Sequence, residues 1–228
     1  MAAFERTEAA GVWGVEFDIR WTRDLSPVVF HDADTRRIFG VNRRIGAMPL
    51  AEVRAAFPLI PTLEEVIRRF GKRLHLMVEL KSEPYPDPAY QNRVLKELFA
   101  DLTPSEDYHL MSLEPAMLRL IDFIPSSSLL PISEVNTRSL SRLALRKDYR
   151  GITGHYLMLT NRLLRRHRRR NQKTGTGFVA SRNCLFREIN RGVTWIFSNE
   201  AAKLQRICNR CADGVSDLNG IRNQKEFR

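Results

Sequence analysis

The chain has 228 residues, of which 43% are hydrophobic and 28% are charged, and a single domain with a full buried core fits this length and composition. The longest apolar runs extend over a handful of residues, as in 126–132, so no segment approaches the ~20 residues that a membrane-spanning helix requires. The first residues lack a basic stretch followed by an apolar one, so no secretory signal is expected.

The N-terminal residues indicate the end of a helix followed by a strand. Residues 1–10 combine apolar residues with good helix formers, and Gly11 is the type of residue that ends a helix. From 12 to 22, apolar and polar residues alternate, which is typical of a strand. A turn follows, and a second extended segment at 28–30 ends at His31.

Strand patterns then alternate with helical patterns along the rest of the chain. Thr62 and Glu65 have the spacing of a capping box and predict a helix start, and we interpret 173–177 as a loop that leads into a strand. Further strands are predicted at 74–80, 108–112, 129–132, 151–153, 177–181 and 194–197. Further helices are predicted near 88–101, 115–123, 137–147, 159–170, 182–191 and 199–211.

Short strands that alternate with helices predict a parallel sheet and an α/β fold. Together with the strand at 12–22, the main strands number seven. This count fits a TIM (β/α)8 barrel whose first strand is missing, and so does a chain that opens inside a helix. We expect residues 1–212 to form this barrel domain and residues 213–228 to form a loose C-terminal tail.

Charged residues occur within two predicted strands, where burial of an unpaired charge is unfavourable. Glu16 and Asp18 are two residues apart and so project from one face of the first strand, and Glu79 and Lys81 repeat this spacing in a later one. Both pairs fall at C-terminal strand ends, where barrel active sites are built. Three carboxylates at one rim require a cation, and their oxygens favour Mg²⁺ or Ca²⁺, while Lys81 is suited to hold a phosphate oxygen. The alternative for either pair alone is an edge strand with one face in water.

A histidine closes the first extended segment. His31, followed by Asp32, would bring an imidazole over the same rim, where it could deliver or accept a proton near neutral pH. Of the other histidines, His75 falls at the opposite end of its strand, and the rest have no carboxylate cluster beside them. We interpret these others as hydrogen-bonded or solvated residues: His75, His109, His155 and His167.

The positive charge is concentrated in the C-terminal part of the chain. The net charge is +11, and residues 159–228 hold 16 basic against 5 acidic residues, whereas the preceding part is balanced. The densest segment runs from Arg162 to Arg170. Such a patch attracts anions, whether a phosphodiester, a nucleic acid or acidic lipid headgroups, without selecting among them. The alternative is a solvated helix face with arginine in excess.

The three cysteines, Cys184, Cys208 and Cys211, are too few and too clustered for a disulfide framework. This favours a reducing compartment and a cytoplasmic location. Cys208 and Cys211 have the spacing of a redox pair, but the sequence shows neither the preceding strand nor the further zinc ligands that would support such a site. We interpret them as ordinary thiols near a C-terminal helix.

Several of these segments together carry a family resemblance. They read, in order, Gly-Val-Trp-Gly-Val-Glu-Phe-Asp-Ile-Arg-Trp-Thr-Arg-Asp over 11–24, Pro-Val-Val-Phe-His-Asp over 27–32, Pro-Thr-Leu-Glu-Glu over 61–65 and Val-Glu-Leu-Lys over 78–81. This series is similar to the N-terminal signature of the glycerophosphodiester phosphodiesterases, and the similarity is specific over residues 1–81. It is weaker beyond that point, as far as 192–199, which resembles the last strand of the family.

The resemblance implies a metal-dependent phosphoric diester hydrolase that cleaves glycerophosphodiesters to glycerol phosphate and an alcohol in glycerophospholipid metabolism. It implies a divalent metal held by Glu16, Asp18 and Glu79. It further implies a pair of proton-transferring histidines, of which His31 is the second, with a glycerol hydroxyl as the nucleophile and a positive side chain polarising the phosphate.

Two departures from the family pattern leave other functions open. The family begins with a strand ending in His-Arg-Gly, which supplies the first histidine and a phosphate-binding arginine, and this sequence starts after it. Near strand seven the family usually has a tryptophan and a threonine, whereas Ala180 and Ser181 stand here.

Three functions are therefore weighed. The leading one is a hydrolase with a small-molecule glycerophosphodiester substrate, no nucleic-acid partner and no membrane span. The second is a catalytically silent member that binds phosphodiesters or a partner. The third is a basic nucleic-acid-binding protein that uses residues 162–173, whose binding would weaken steeply with salt.

Overall fold

The computed structural model describes residues 1–211, whose backbone forms one sheet of eight strands together with helices. The strands are β1 (Gly14–Trp21), β2 (Pro27–Val29), β3 (His75–Leu80), β4 (Tyr108–Ser112), β5 (Leu129–Ser133), β6 (Gly151–His155), β7 (Lys173–Gly177) and β8 (Trp195–Ile196). The helices are α1 (Ala2–Ala9), α2 (Arg36–Phe39), α3 (Leu50–Ala56), α4 (Leu63–Phe70), α5 (Pro88–Leu98), α6 (Pro115–Leu120), α7 (Thr137–Arg146), α8 (Asn161–Arg168) and α9 (Arg182–Arg191), with 3₁₀ turns at Ile45–Ala47 and Ser126–Ser128. Residues 201–211 are also helical. The predicted tail at 213–228 and the domain boundary at 212 lie outside the described residues.

The strands follow the order β2-β1-β3-β4-β5-β6-β7-β8. β1 pairs antiparallel with the short β2, and every other neighbouring pair is parallel. Parallel strands joined by helices curl into part of a barrel, which confirms the predicted α/β barrel. Within residues 1–211, β8 pairs with β7 alone, so the sheet is open between β8 and β1, where the sequence pattern lacks a first strand. No helix in this part of the chain is long and apolar enough to cross a bilayer.

Apolar side chains pack on both faces of the sheet. Phe17 and Leu76 belong to the large core that includes residues of the surrounding helices. Met77 and Met111 belong to a separate cluster on the inner face. Because successive residues of a strand point to opposite faces, an inward Met77 places Glu79 on the inner face as well, nearer the C-terminal end of β3.

Two local predictions about helix ends are confirmed. Helix α1 ends at Ala9, and Gly11 follows with a φ of +66°, a left-handed conformation that glycine adopts readily. At the start of α4, the Thr62 side chain accepts a hydrogen bond from the amide of Glu65, and the Glu65 side chain accepts one from the amide of Thr62. This is the capping box expected from the spacing of the two residues.

The segment Lys173–Gly177 is strand β7, so its interpretation as a loop is wrong. Gly175 shows why a glycine-rich segment forms a strand here: a Cβ at this position would lie 2.7 Å from the Phe197 ring and 2.9 Å from the side chain of Thr153. Glycine is therefore required by close packing against residues from other parts of the barrel. The strand predicted at 177–181 was consequently placed too late in the chain.

An aromatic contact lies at the N-terminal end of the sheet opening. The ring of Trp13, just before β1, stacks on that of His75 with 4.1 Å between centroids and lies 6.5 Å from that of Trp195 on β8. Trp13 nevertheless remains 56% exposed. Side chains thus approach each other across the opening without a strand between β8 and β1.

Candidate active site

Three carboxylates from two neighbouring parallel strands converge at one end of the barrel. Glu16 and Asp18 lie on β1 and Glu79 lies on β3, with Asp18 and Glu79 paired in register. Each offers an oxygen within 4.8 Å of the oxygens offered by the other two. Glu79 lies next to the C-terminal end of β3, the end that carries the catalytic groups in parallel barrels and is called the mouth below. Glu16 and Asp18 are the third and fifth of the eight residues of β1, so they lie nearer the middle of their strand than the sequence pattern predicted. The structure therefore brings together the three residues expected to hold a metal.

Lys81 directly follows β3 and lies within this carboxylate cluster. Its ammonium nitrogen is 2.6 Å from a carboxylate oxygen of Asp18 and 2.8 Å from one of Glu79, and the three side chains are between 9% and 14% exposed. Burial lowers the pKa of Lys81, but the hydrogen bonds and charges of Asp18 and Glu79 outweigh this effect and raise it. Lys81 therefore stays positively charged and neutralises part of the cluster.

The cluster contains three carboxyl groups but a single ammonium group. Of the three residues, Glu16 is the most exposed to solvent. Desolvation of its carboxyl group and repulsion from Asp18 and Glu79 nevertheless raise its pKa to about 8, against the opposing effect of Lys81. Burial also raises the pKa of Glu79. Raised carboxyl pKa values in such a group indicate an acidic site short of a cation, and a divalent ion with oxygen ligands at ~2.0–2.6 Å fits these donors.

His31 follows β2 in a loop near the carboxylate cluster. The amide of the preceding residue, Phe30, donates a hydrogen bond to the carbonyl oxygen of Asp18 at 3.1 Å, which places the start of this loop beside β1. Its Nδ1 is 2.6 Å from one oxygen of Asp32, and the other oxygen of Asp32 is 2.6 Å from Nε of Arg37. Hydrogen bonds from Arg37 and His31 lower the pKa of Asp32 to about 2, so this carboxylate is ionised. An ionised partner at Nδ1 leaves Nε2 of the 63% exposed His31 side chain available for proton transfer.

Two residues that the sequence patterns did not single out hold the histidine loop against the sheet. Arg20 on β1 donates hydrogen bonds from Nε and Nη2 to the carbonyl oxygen of His31 at 3.0 and 2.8 Å. It also donates one from Nη1 to Glu83 at 2.9 Å. Each partner stands two residues beyond a site residue, Arg20 after Asp18 and Glu83 after Lys81, and this spacing was the only signal available in the sequence.

The other histidines are held away from the carboxylate cluster or stacked on aromatic rings. His75 and His109 are buried near the N-terminal end of the inner face, where Nε2 of His75 is 2.7 Å from Nδ1 of His109. His167 is buried between two side-chain hydrogen bonds. His155 ends β6 at the mouth, where it stacks against two neighbouring aromatic rings.

The buried histidine pair should make stability depend on pH. Burial, with repulsion from His75 and Arg150, lowers the pKa of His109 to about 3. An unfolded histidine binds a proton at about pH 6.5, so the stabilising effect of His109 is complete above that pH and is lost as the pH falls. Urea unfolding of His109→Gln and wild type should show a difference that shrinks by about 1.4 kcal/mol per pH unit below ~6.5.

A matched variant separates this effect from a general loss of packing. Met111 is buried on the inner face without a titratable group, so Met111→Leu should change the free energy of unfolding by the same amount at each pH. A destabilisation by His109→Gln that stays constant as the pH falls would contradict the prediction.

The fold resembles that of known phosphodiesterases. A glycerophosphodiester phosphodiesterase from Parabacteroides distasonis is 21% identical, has a TM-score of 0.72 and covers 92% of this chain and 90% of its own. The enzyme of the same description from Thermotoga maritima is 17% identical, with a TM-score of 0.73 and 90% of each chain covered. An Oleispira antarctica phosphodiesterase in complex with the product sn-glycerol-3-phosphate is 19% identical, with a TM-score of 0.72, covering 91% of this chain and 90% of its own. These likenesses confirm the barrel fold.

The sequence itself assigns the family. Among curated proteins, none matches the chain. The family model described as the glycerophosphoryl diester phosphodiesterase family matches residues 1–173, which include the carboxylate cluster, Lys81 and His31. Because this match extends over most of the sequence, the chain belongs to the glycerophosphoryl diester phosphodiesterase family.

Proposed function

We propose that this chain hydrolyses glycerophosphodiesters to glycerol phosphate and an alcohol, with Mg²⁺ or Ca²⁺ as the cofactor. The observation that carries the proposal is the convergence of Glu16, Asp18 and Glu79 within 4.8 Å, beside Lys81. Family membership supports the reaction class, and the Oleispira structure with its bound product supports glycerol phosphate as a product. Substrates of this type derive from glycerophospholipids, so the proposed role is in lipid metabolism. The low cysteine content makes the cytoplasm the predicted location.

The carboxylates and the lysine have separate roles in this proposal. Glu16, Asp18 and Glu79 would hold the cation, which when bound supplies positive charge to the phosphate oxygens of the transition state. Lys81 is hydrogen-bonded to Asp18 and Glu79, and it would exchange these bonds for a phosphate oxygen once the carboxylates bind the cation. The substrate phosphate would thus be held between the carboxylate-bound cation and the ammonium group.

His31 would transfer one of the two protons that the reaction moves. Its Nδ1 is held by Asp32, so Nε2 is the nitrogen that would take a proton from the attacking glycerol hydroxyl or give one to the departing alcohol. This attack would form a cyclic phosphate, which water would then open to give glycerol phosphate. Among the histidines of residues 1–211, His31 follows the segment that is hydrogen-bonded to the backbone of Asp18. The second proton transfer therefore has no histidine assigned to it within the described chain.

The metal assignment is tested by turnover of glycerophosphocholine, which should require an added divalent cation and stop when a chelator is present. Glu79→Gln preserves the size of the side chain but removes its charge. It should raise the cation concentration needed for half-maximal turnover by at least about tenfold, because changes around metal sites typically weaken binding 10- to 100-fold. Glu97→Gln, at an exposed position on α5, is the matched control and should leave this concentration unchanged. Turnover that survives the chelator would sink the metal assignment.

The second candidate is a catalytically silent protein that binds phosphodiesters or a partner. Within residues 1–211 the edge between β8 and β1 is open, and the family resemblance implies a strand with a terminal histidine at this position, so these residues alone favour the silent candidate. Calorimetric titration with glycerophosphocholine separates the two candidates. Cation-dependent binding without release of choline would support the silent protein, whereas release of choline would support the hydrolase.

A further inference from the structure

A strongly basic part of the chain has no role in the proposed reaction. Residues 137–173, which contain α7, β6 and α8, hold twelve basic residues and a single acidic one, Asp148. None of the twelve forms an ion pair with a carboxylate of residues 1–211. The thirteen ion pairs of the described residues all lie outside this segment. Carboxylates of residues 1–211 therefore do not neutralise its charge.

Helices α7 and α8 pack together and turn their arginines outward. Leu140 of α7 and Leu164 of α8 share one apolar cluster, and the hydroxyl of Ser141 lies 2.8 Å from Nε2 of His167. On the outer side, Leu145 and the arginines of α8 line a cavity of about 590 Å³. The lining arginines, called the arginine face below, are Arg162, Arg165, Arg166, Arg169 and Arg170.

The spacing of these arginines is unfavourable for an isolated helix. Arg162 and Arg166 are four residues apart, as are Arg165 and Arg169, so each pair consists of neighbours on the helix surface that repel each other. All four side chains are exposed. A surface with several phosphate groups would relieve this repulsion, because arginine binds phosphate through two parallel hydrogen bonds.

Exposed apolar residues stand in the mouth-end connections that precede α7, α8 and α9. Val135 lies two residues before α7 and is 89% exposed. Leu157 and Met158 precede α8 and are 68% and 39% exposed, and Phe178 follows β7 and is 73% exposed. All four belong to connections that leave C-terminal strand ends. Phe178 has a φ of 65°, a left-handed conformation that is strained for a bulky residue.

We propose that the arginine face and these apolar residues dock the protein on an anionic lipid surface. The arginines would bind lipid phosphates, and Val135, Leu157, Met158 and Phe178 would enter the boundary between the headgroups and the acyl chains. A nucleic acid would satisfy the arginines but would offer no apolar medium for the aliphatic side chains beside them. Docking in this orientation lays α8 and the connections at its mouth end against the lipid.

The proposal is tested by co-sedimentation with vesicles of phosphatidylcholine alone and of phosphatidylcholine mixed with phosphatidylglycerol. The protein should bind the mixed vesicles, and salt should weaken the binding. Reversing three charges, Arg165→Glu, Arg166→Glu and Arg169→Glu, should lower the partition coefficient on the order of 10²-fold, since each basic residue near an anionic membrane contributes about 1 kcal/mol, or roughly fivefold.

Two further variants address charge and apolar contact separately. The combination of Arg68→Glu, Lys96→Glu and Arg119→Glu makes the same change in net charge at exposed positions on other helices, and it should change the partition coefficient by no more than a few-fold. Leu157→Ser with Phe178→Ser should lower binding roughly tenfold even in high salt, because it removes apolar surface and leaves the arginines in place. Thermal unfolding of each variant shows whether the fold is retained.

Docking does not involve the carboxylate cluster, so Glu79→Gln should bind the mixed vesicles as tightly as the wild type. Equal binding to neutral and mixed vesicles would overturn the proposal. An equal loss of vesicle binding in the two triple charge-reversal variants would overturn it as well, because binding would then depend on net charge and not on the arginine face. A wild-type protein that binds a duplex oligonucleotide but no vesicle would assign the arginine face to nucleic acid instead.

Discussion

Replacing His31 by alanine is expected to slow the turnover of glycerophosphocholine by roughly 10² to 10⁴, the range typical of a general acid or base. The reason is geometric: Asp32 occupies Nδ1 at 2.6 Å, so Nε2 is the nitrogen that can exchange a proton with the substrate. Asp32→Asn should have a smaller effect, because the imidazole remains but its orientation and tautomer are no longer fixed by a charge. Steady-state rates at saturating cation and substrate measure both effects.

A variant in the same loop controls for disturbance of its backbone. The carboxylate of Asp34 accepts a hydrogen bond from the amide of Arg36 at 3.0 Å and is not bonded to His31. Asp34→Asn should therefore retain a rate near that of the wild type. The loss in His31→Ala should appear in kcat, because the side chain is assigned to proton transfer and not to binding. Unchanged kcat in His31→Ala would remove the residue from the mechanism.

The carboxylate cluster could be predicted from the sequence because its cause is local. Side chains two residues apart in a strand share a face, so Glu16 and Asp18 had to project together. Parallel strands of one barrel end at a common rim, so Glu79 was expected at the same rim, and its close approach to the other two requires that β3 lie next to β1. The observed register, with Asp18 opposite Glu79, follows from these two rules and the pairing of β1 with β3.

Other parts of the site depend on contacts between distant residues, for which the sequence carries little signal. The spacing predicted Lys81 at the rim but not its hydrogen bond to Asp18, and the bond from Arg20 to Glu83 likewise joins side chains more than sixty positions apart. Strand β7 was missed for the same reason, because Gly175 is needed only once Phe197 packs against it. Hydrophobic periodicity and composition predict single helices and strands, whereas these contacts form only when helices and strands pack together.

An N-terminal extension that supplies a parallel strand ending in His-Arg-Gly is expected to raise both stability and turnover. The backbone of β1 pairs with β2 over Ile19–Trp21, and the carbonyl oxygen of Asp18 accepts a hydrogen bond from the amide of Phe30. Among residues 1–211 this leaves Gly14 to Phe17 without a strand partner on that side, and β8 pairs only with β7. A strand between β8 and β1 would form hydrogen bonds with the free backbone groups of both strands. It would also cover apolar surface such as the exposed Trp13. Its terminal histidine would supply the second proton transfer, so turnover should rise by at least roughly 10².

Two forms of the extension separate the structural from the catalytic contribution. An extension ending in Ala-Arg-Gly should raise the midpoint of thermal unfolding as much as the histidine form, because strand pairing is the same, but it should leave turnover low. An extension with proline in the middle of the strand should do neither, since proline cannot donate a ladder hydrogen bond. One outcome would contradict the prediction. If the 228-residue chain alone is monomeric, unfolds cooperatively and hydrolyses glycerophosphodiesters at a rate that the extension does not change, the prediction of a missing strand is wrong, and another residue performs the second proton transfer.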